Sequence, residues 1–100
     1  MDVEKLISKI KKVFSYEYAD ILDGVAIAEE EDFSIISHDD DGKTGWEMGE
    51  WFPEPINYTS DEEYILVNKE GEKIAISCTR AGCGSVANLY FGVREVKDND

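Results

Sequence analysis

The chain has little positive charge. Its 100 residues carry 10 Lys and Arg against 23 Asp and Glu, a formal net charge of −13. A surface of that sign repels phosphate, which argues against direct binding to nucleic acid or to an anionic membrane. Cysteine is scarce: Cys78 and Cys83 are too few for a secreted disulfide scaffold and suit a reducing compartment. His38 is the only histidine, so a zinc site within one chain would have to borrow a carboxylate. No metal and no cofactor is expected. No apolar run approaches the roughly 18 residues of a membrane span, and none follows a basic start as in a signal peptide. The expectation is a cytoplasmic protein.

The negative charge that is present is unevenly placed. Between Glu29 and Glu63 lie thirteen carboxylates (Glu29, Glu30, Glu31, Asp32, Asp39, Asp40, Asp41, Glu47, Glu50, Glu54, Asp61, Glu62 and Glu63) and one cation, Lys43. One against thirteen leaves −12, nearly all of the chain's −13. The flanking segments are close to neutral. A surplus concentrated in one segment and interleaved with Trp46, Met48, Trp51 and Phe52 reads as a binding face for a basic partner. Large aromatics anchor interfaces because they bury much area at little entropy cost. One tryptophan is expected in the core and one at the surface. The candidate partner-binding residues are therefore Glu29, Glu30, Glu31, Asp32, Asp39, Asp40, Asp41, Trp46, Glu47, Glu50, Trp51, Phe52, Asp61 and Glu62.

Apolar periodicity sets the expected fold. Val3, Leu6, Ile7, Ile10, Val13 and Phe14 form one helical stripe, with Asp2 as N-cap and the later lysines at the negative helix end. Ser15 to Asp23 reads as a turn or a second short helix capped by Ser15, with Gly24 just past its end. From Gly24 the period changes to two, predicting a hairpin through Ser37 whose turn is the acidic tetrad Glu29–Asp32, or one long bent strand. His38 to Gly45 is polar. Trp46 to Phe52 fits an edge strand, stopped by Pro53 and Pro55, with an irregular path to Ser60. Ser60 and Glu63 match a capping box, but Tyr64–Val67 favours a strand.

The last third is a three-stranded meander. Tyr64–Val67 enters the turn Asn68-Lys69-Glu70-Gly71. Lys73–Thr79 places Ile74, Ile76 and Cys78 on one face, and a second turn spans Arg80–Ser85. Ala87–Val96 then points Leu89, Phe91 and Val93 inward. The fold class is α+β: one or two N-terminal helices on an antiparallel sheet of about 4–6 strands. Residues 1–97 are expected to form a single domain, with a frayed acidic tail at 98–100.

Several chemical readings are available, and most fail on spacing. Aligned as an EF-hand loop on Gly42, the segment offers Ser37, Asp39 and Asp41, but Met48 falls where a bidentate Glu is needed. Cys78 and Cys83 do not match C-x-x-C, and ordinary buried thiols are the simpler reading. Gly82 and Gly84 lie between strands rather than before a helix, which suits a turn and not a phosphate cradle. A catalyst can be assembled from His38, Asp39 and a nucleophile at Cys83 or Ser85, but any small protein with one histidine permits as much. Enzyme activity is not expected.

In size, local acidity and a helix packed on a short antiparallel sheet, the chain resembles the immunity proteins of bacterial nuclease toxins, including those of contact-dependent growth inhibition systems. The resemblance lies in these general features, so no residue role is carried over. It implies a cognate toxin domain, one-to-one neutralisation, and protection of the producing cell and its siblings. Three alternatives stand beside it: a DNA mimic that blocks a restriction or CRISPR effector, a small ligand-binding or enzymatic domain using His38 and the Cys78–Ser85 turn, and a structural subunit of a basic assembly.

Overall fold

The first helix, α1 (Val3–Phe14), forms as its apolar stripe predicts, with Val3, Leu6 and Ile10 buried. The Asp2 carboxylate accepts hydrogen bonds from the Glu4 and Lys5 amides at 3.0 and 3.3 Å, satisfying donors that a helix start leaves open. Lys11 and Lys12 occupy the last turn, and the Ser15 hydroxyl closes the helix on the Lys12 carbonyl at 2.6 Å. Ser15 therefore ends α1 rather than opening a second helix. The computed structural model describes residues 2–41, 57–83 and 86–97.

The second helix, α2 (Ile21–Glu30), overturns the expected hairpin from Gly24 to Ser37 and the expected short helix over Ser15–Asp23. Two features favour helix here. Asp20 and Asp23 form a reciprocal capping box, with the Asp20 amide donating to Asp23 at 2.9 Å. Ile21, Gly24, Val25 and Ala28, at the i, i+3, i+4, i+7 positions of a helix face, are the residues that become buried. The alternation of Val25 and Ile27 with alanines imitates a strand but does not decide the structure, since Ala26 and Ala28 are strong helix formers. Gly24 does not stop the helix; it lets α2 approach α1. A Cβ at this position would lie 2.5 Å from the Phe14 ring, which is itself stacked on Phe91.

The acidic tetrad terminates α2 instead of turning a hairpin. Asp32 takes the left-handed conformation at φ 65°, the Phe33 amide donates to the Ala28 carbonyl, and the Asp32 amide donates to that of Glu29. This is a Schellman closure, with Asp where Gly is commoner.

Four antiparallel strands follow: β1 (Ser34–Asp41), β2 (Asn57–Val67), β3 (Lys73–Cys83) and β4 (Val86–Val96), paired in sequence order. The α+β architecture and the C-terminal meander agree with the sequence reading. The first meander turn forms as expected: Gly71 has φ +83° and its amide donates to the Asn68 carbonyl, while the Asn68 side chain accepts from the Glu70 and Glu72 amides. Three boundaries differ. His38–Asp41 continues β1 instead of entering a polar loop, Asn57–Ser60 belongs to β2 instead of an irregular path, and Arg80–Cys83 remains in β3. Long-range pairing overrides local polarity in all three. The expected edge strand at Trp46–Phe52 and the tail at 98–100 lie outside the described residues.

Both helices pack on one face of the sheet, α1 toward β4 and α2 toward β3. Leu66, Ile74, Ile76 and Cys78 meet Ile10, Ile21, Val25 and Ala28 there, and Tyr64, Phe33 and Val93 complete the core. Coverage ends near the Glu62, Cys78 and Phe91 level. Leu89 has the parity of Phe91 and Val93, as expected, yet it is 45% exposed, because among the described residues neither α1 nor α2 covers that end of the sheet. The core and the open end thus share one continuous sheet.

Gly24→Val is predicted to destabilise the protein by about 1–3 kcal/mol through overpacking against Phe14 and Ile10, despite Val's better helix propensity. Urea denaturation followed by circular dichroism measures it.

Candidate functional site

The strand register brings acidic residues together that are far apart in sequence. Asp39 pairs with Glu63, Asp40 with Glu62, and Asp41 with Asp61. Like charges directly opposite on neighbouring strands oppose folding by a few tenths to about 1 kcal/mol per pair. Charge on β1 alone would be understandable, because it is an edge strand and carboxylates discourage edge-to-edge pairing. Edge protection does not account for the carboxylates facing them from β2, an interior strand. Six acidic residues in three successive paired positions form the candidate site.

A bulge sets which of them face where. The β1–β2 register shifts between Ile35 and Ser37, leaving Ile36 as the extra residue. Before the shift Ile35 pairs with Leu66; after it His38 pairs with Tyr64. In an unbroken register, with Ile36 paired to Ile65, His38 would pair with Glu63 and each following β1 side chain would fall on the other face. As formed, His38, Asp40 and Glu62 share the helix-side parity of buried Tyr64, and Asp39, Asp61 and Glu63 have the opposite parity.

The helix-side group is well ordered by contacts. The His38 ring stacks on Tyr64 with centroids 4.0 Å apart and planes within 6°. Its Nε2 lies 2.8 Å from Glu62 Oε2, and the other Glu62 oxygen, Oε1, is 3.6 Å from Arg80. On the other face, the Thr79 hydroxyl donates to Asp61 at 2.7 Å. Glu62 and Asp61 are thereby held from β3, while Asp39 and Asp40 remain exposed on β1, which also carries the exposed apolar side chains of Ile35 and Ile36.

The remaining expected site residues fall elsewhere. Glu29 and Glu30 occupy the last turn of α2, and Glu31 and Asp32 its exit. At about 3.3 Å per residue, β1 carries Asp40 about 20 Å from Ser34, so one acidic stretch of sequence becomes two clusters. Carboxylates at a helix C-terminus oppose the helix dipole, and Lys9 offsets this in part with an ion pair to Glu31 at 3.8 Å. Trp46, Glu47, Glu50, Trp51 and Phe52 lie outside the described residues. Glu63, His38 and Arg80 join the array without having been placed in it from sequence. The shared parity of positions 38 and 40 on one strand and 62 and 64 on the other was the available signal, but it needs the bulge.

No protein-family model, curated protein or solved structure matches this chain. The geometry therefore carries the interpretation alone. Ser37, Asp39 and Asp41 lie along an extended strand, which rules out the EF-hand alignment. Cys78 and Cys83 lie on one strand about 16 Å apart, far beyond the ~7 Å Cα limit for a disulfide, so they are not a redox pair within the chain. Cys78 is buried. Burial pushes its thiol pKa up, Arg80 pulls the other way, and Glu62 and Asp20 push it further up. It lacks the character of an activated nucleophile. Among the described residues, no helix is long and apolar enough to cross a membrane.

Two outcomes follow for stability. Asp39→Lys converts an opposed like-charge pair into an attractive one and should raise stability by about 0.2–1 kcal/mol, whereas added salt should stabilise the unaltered protein more than this variant. Urea midpoints in low and high salt measure both. Alkaline pH should do the reverse. The Tyr64 hydroxyl is held above its ordinary pKa by burial and by Glu62, Asp20 and Asp40, in the same direction as the Cys78 thiol. The folded state then binds more protons than the unfolded state, so stability is full below about pH 8.5 and falls as pH rises through the folded-state values. Cys78→Ala should flatten that fall in a pH series of urea melts.

Proposed function

We propose that this protein is an acidic inhibitor that neutralises a basic partner protein in the cytoplasm, in a one-to-one complex, and that the partner is a nuclease toxin domain. The observation that carries this reading is the β1–β2 array, Asp39 with Glu63, Asp40 with Glu62 and Asp41 with Asp61. Folding alone disfavours such opposed charges, and a cationic surface would turn the repulsion into binding energy. A nuclease must present Lys and Arg to phosphates, so an ordered carboxylate array suits the same surface. Long-range attraction speeds encounter, and apolar contacts beside the array, Ile35 and Ile36, suit a slow dissociation. The separate Glu29–Asp32 cluster has a lesser, peripheral role in this reading.

Three successive pairs of carboxylates along adjacent strands also suit a mimic of DNA that blocks a restriction or CRISPR effector. Growth distinguishes the two readings: an immunity protein rescues cells that express its neighbouring toxin gene, and a DNA mimic does not.

Reversal of Asp39, Asp40 and Asp41 to Lys should abolish rescue, lower the association rate at least 10-fold and flatten its salt dependence, with stability not reduced, because each reversal faces a carboxylate on β2. Reversal of Glu29 and Glu30 should have the smaller effect. Stopped-flow association with the purified toxin domain checks the rates; an unchanged rate for the β1 variant rules the proposal out.

A further inference from the structure

We propose that His38, Asp40 and Glu62 form a binding site for a late first-row divalent cation, with Zn²⁺ as the probe. One donor atom from each residue lies within 4.8 Å of the others. Donors sharing one tetrahedral Zn²⁺ at bond lengths near 2.1 Å stand roughly 3.4 Å apart, so small side-chain rotations close the set. The cluster is more than a group of surface acids, because it contains an imidazole and its parts are positioned. Tyr64 holds the ring plane at 4.0 Å. Arg80 engages Glu62 through Oε1, which leaves Oε2 directed at His38 Nε2, 2.8 Å away. The bulge at Ile35–Ser37 puts His38 and Asp40 on the same side as Glu62. A partner on the outer oxygen is how second-shell groups orient a carboxylate ligand.

The donor chemistry selects the ion. One nitrogen and two carboxylate oxygens suit Zn²⁺ and its neighbours, whereas Ca²⁺ and Mg²⁺ prefer oxygen sets. An ion would replace the single proton between His38 and Glu62 with a bond to each. Arg80 opposes a second positive charge, and Asp39, Asp61 and Glu63 across the same strands offset that opposition. Three protein donors leave a fourth position for water.

Because His38 is the only histidine, its imidazole resonances report this site without ambiguity. In ¹⁵N spectra of the unaltered protein, one equivalent of ZnCl₂ should shift His38 Nε2 saturably, and CaCl₂ over the same range should leave it in place. Calorimetry should show Zn²⁺ affinity falling at least 10-fold in Asp40→Asn and in Glu62→Gln, and little in Glu29→Gln. An unmoved imidazole under excess Zn²⁺, an equal response to Ca²⁺, or unchanged affinity in Asp40→Asn overturns the site. The imidazole titration uses the unaltered chain, so the test stands even where a variant fails to fold.

Discussion

The pairing of β1 with β2 is the constraint on which the rest of this molecule depends. A strand has a side-chain period of two, so a shift of one residue exchanges its faces. The extra residue at Ile36 makes that exchange once, between the hydrophobic start of β1 and its acidic end. Ile35 can then oppose Leu66 while His38 opposes Tyr64, and the acidic residues after it meet those of β2 one for one. An unbroken register would return Asp39 to the helix side and point His38 away from Tyr64.

Stability and charge are spatially divided along one sheet. The helices cover the end where Leu66, Ile74, Ile76 and Val93 lie, and burial there supplies the hydrophobic driving force. The other end carries like charges opposite one another, which weakens it. The stack of His38 on Tyr64 marks the boundary, with Tyr64 buried and His38 exposed. Locally unfavourable placements that persist in a stable fold are expected at functional sites. Carboxylates at the α2 C-terminus repeat the pattern on a smaller scale, partly relieved by Lys9.

Legibility in the sequence varied with how local the deciding interactions are. The stripe of α1, its Asp2 cap and the Asn68–Gly71 turn were readable because each depends on residues a few positions apart. For α2 the same information is present in Ile21, Gly24, Val25 and Ala28, but a competing period of two and a glycine, which commonly ends a helix, point the other way. The glycine's reason for being there is Phe14, on another helix. Strand ends at Asp41, Asn57 and Cys83 are not legible locally, because polar residues favour a loop, whereas pairing with a neighbour keeps them extended.

The sequence by itself determined that the protein is a charged α+β domain with its negative residues crowded into the middle of the chain, because composition and short-range periodicity are local properties. Only the tertiary structure decided that this crowd divides into a helix end and a paired-strand array, and that His38, Asp40, Glu62 and Arg80 meet. Those groupings follow from a bulge and a long-range register, and neither is encoded in any contiguous run of residues.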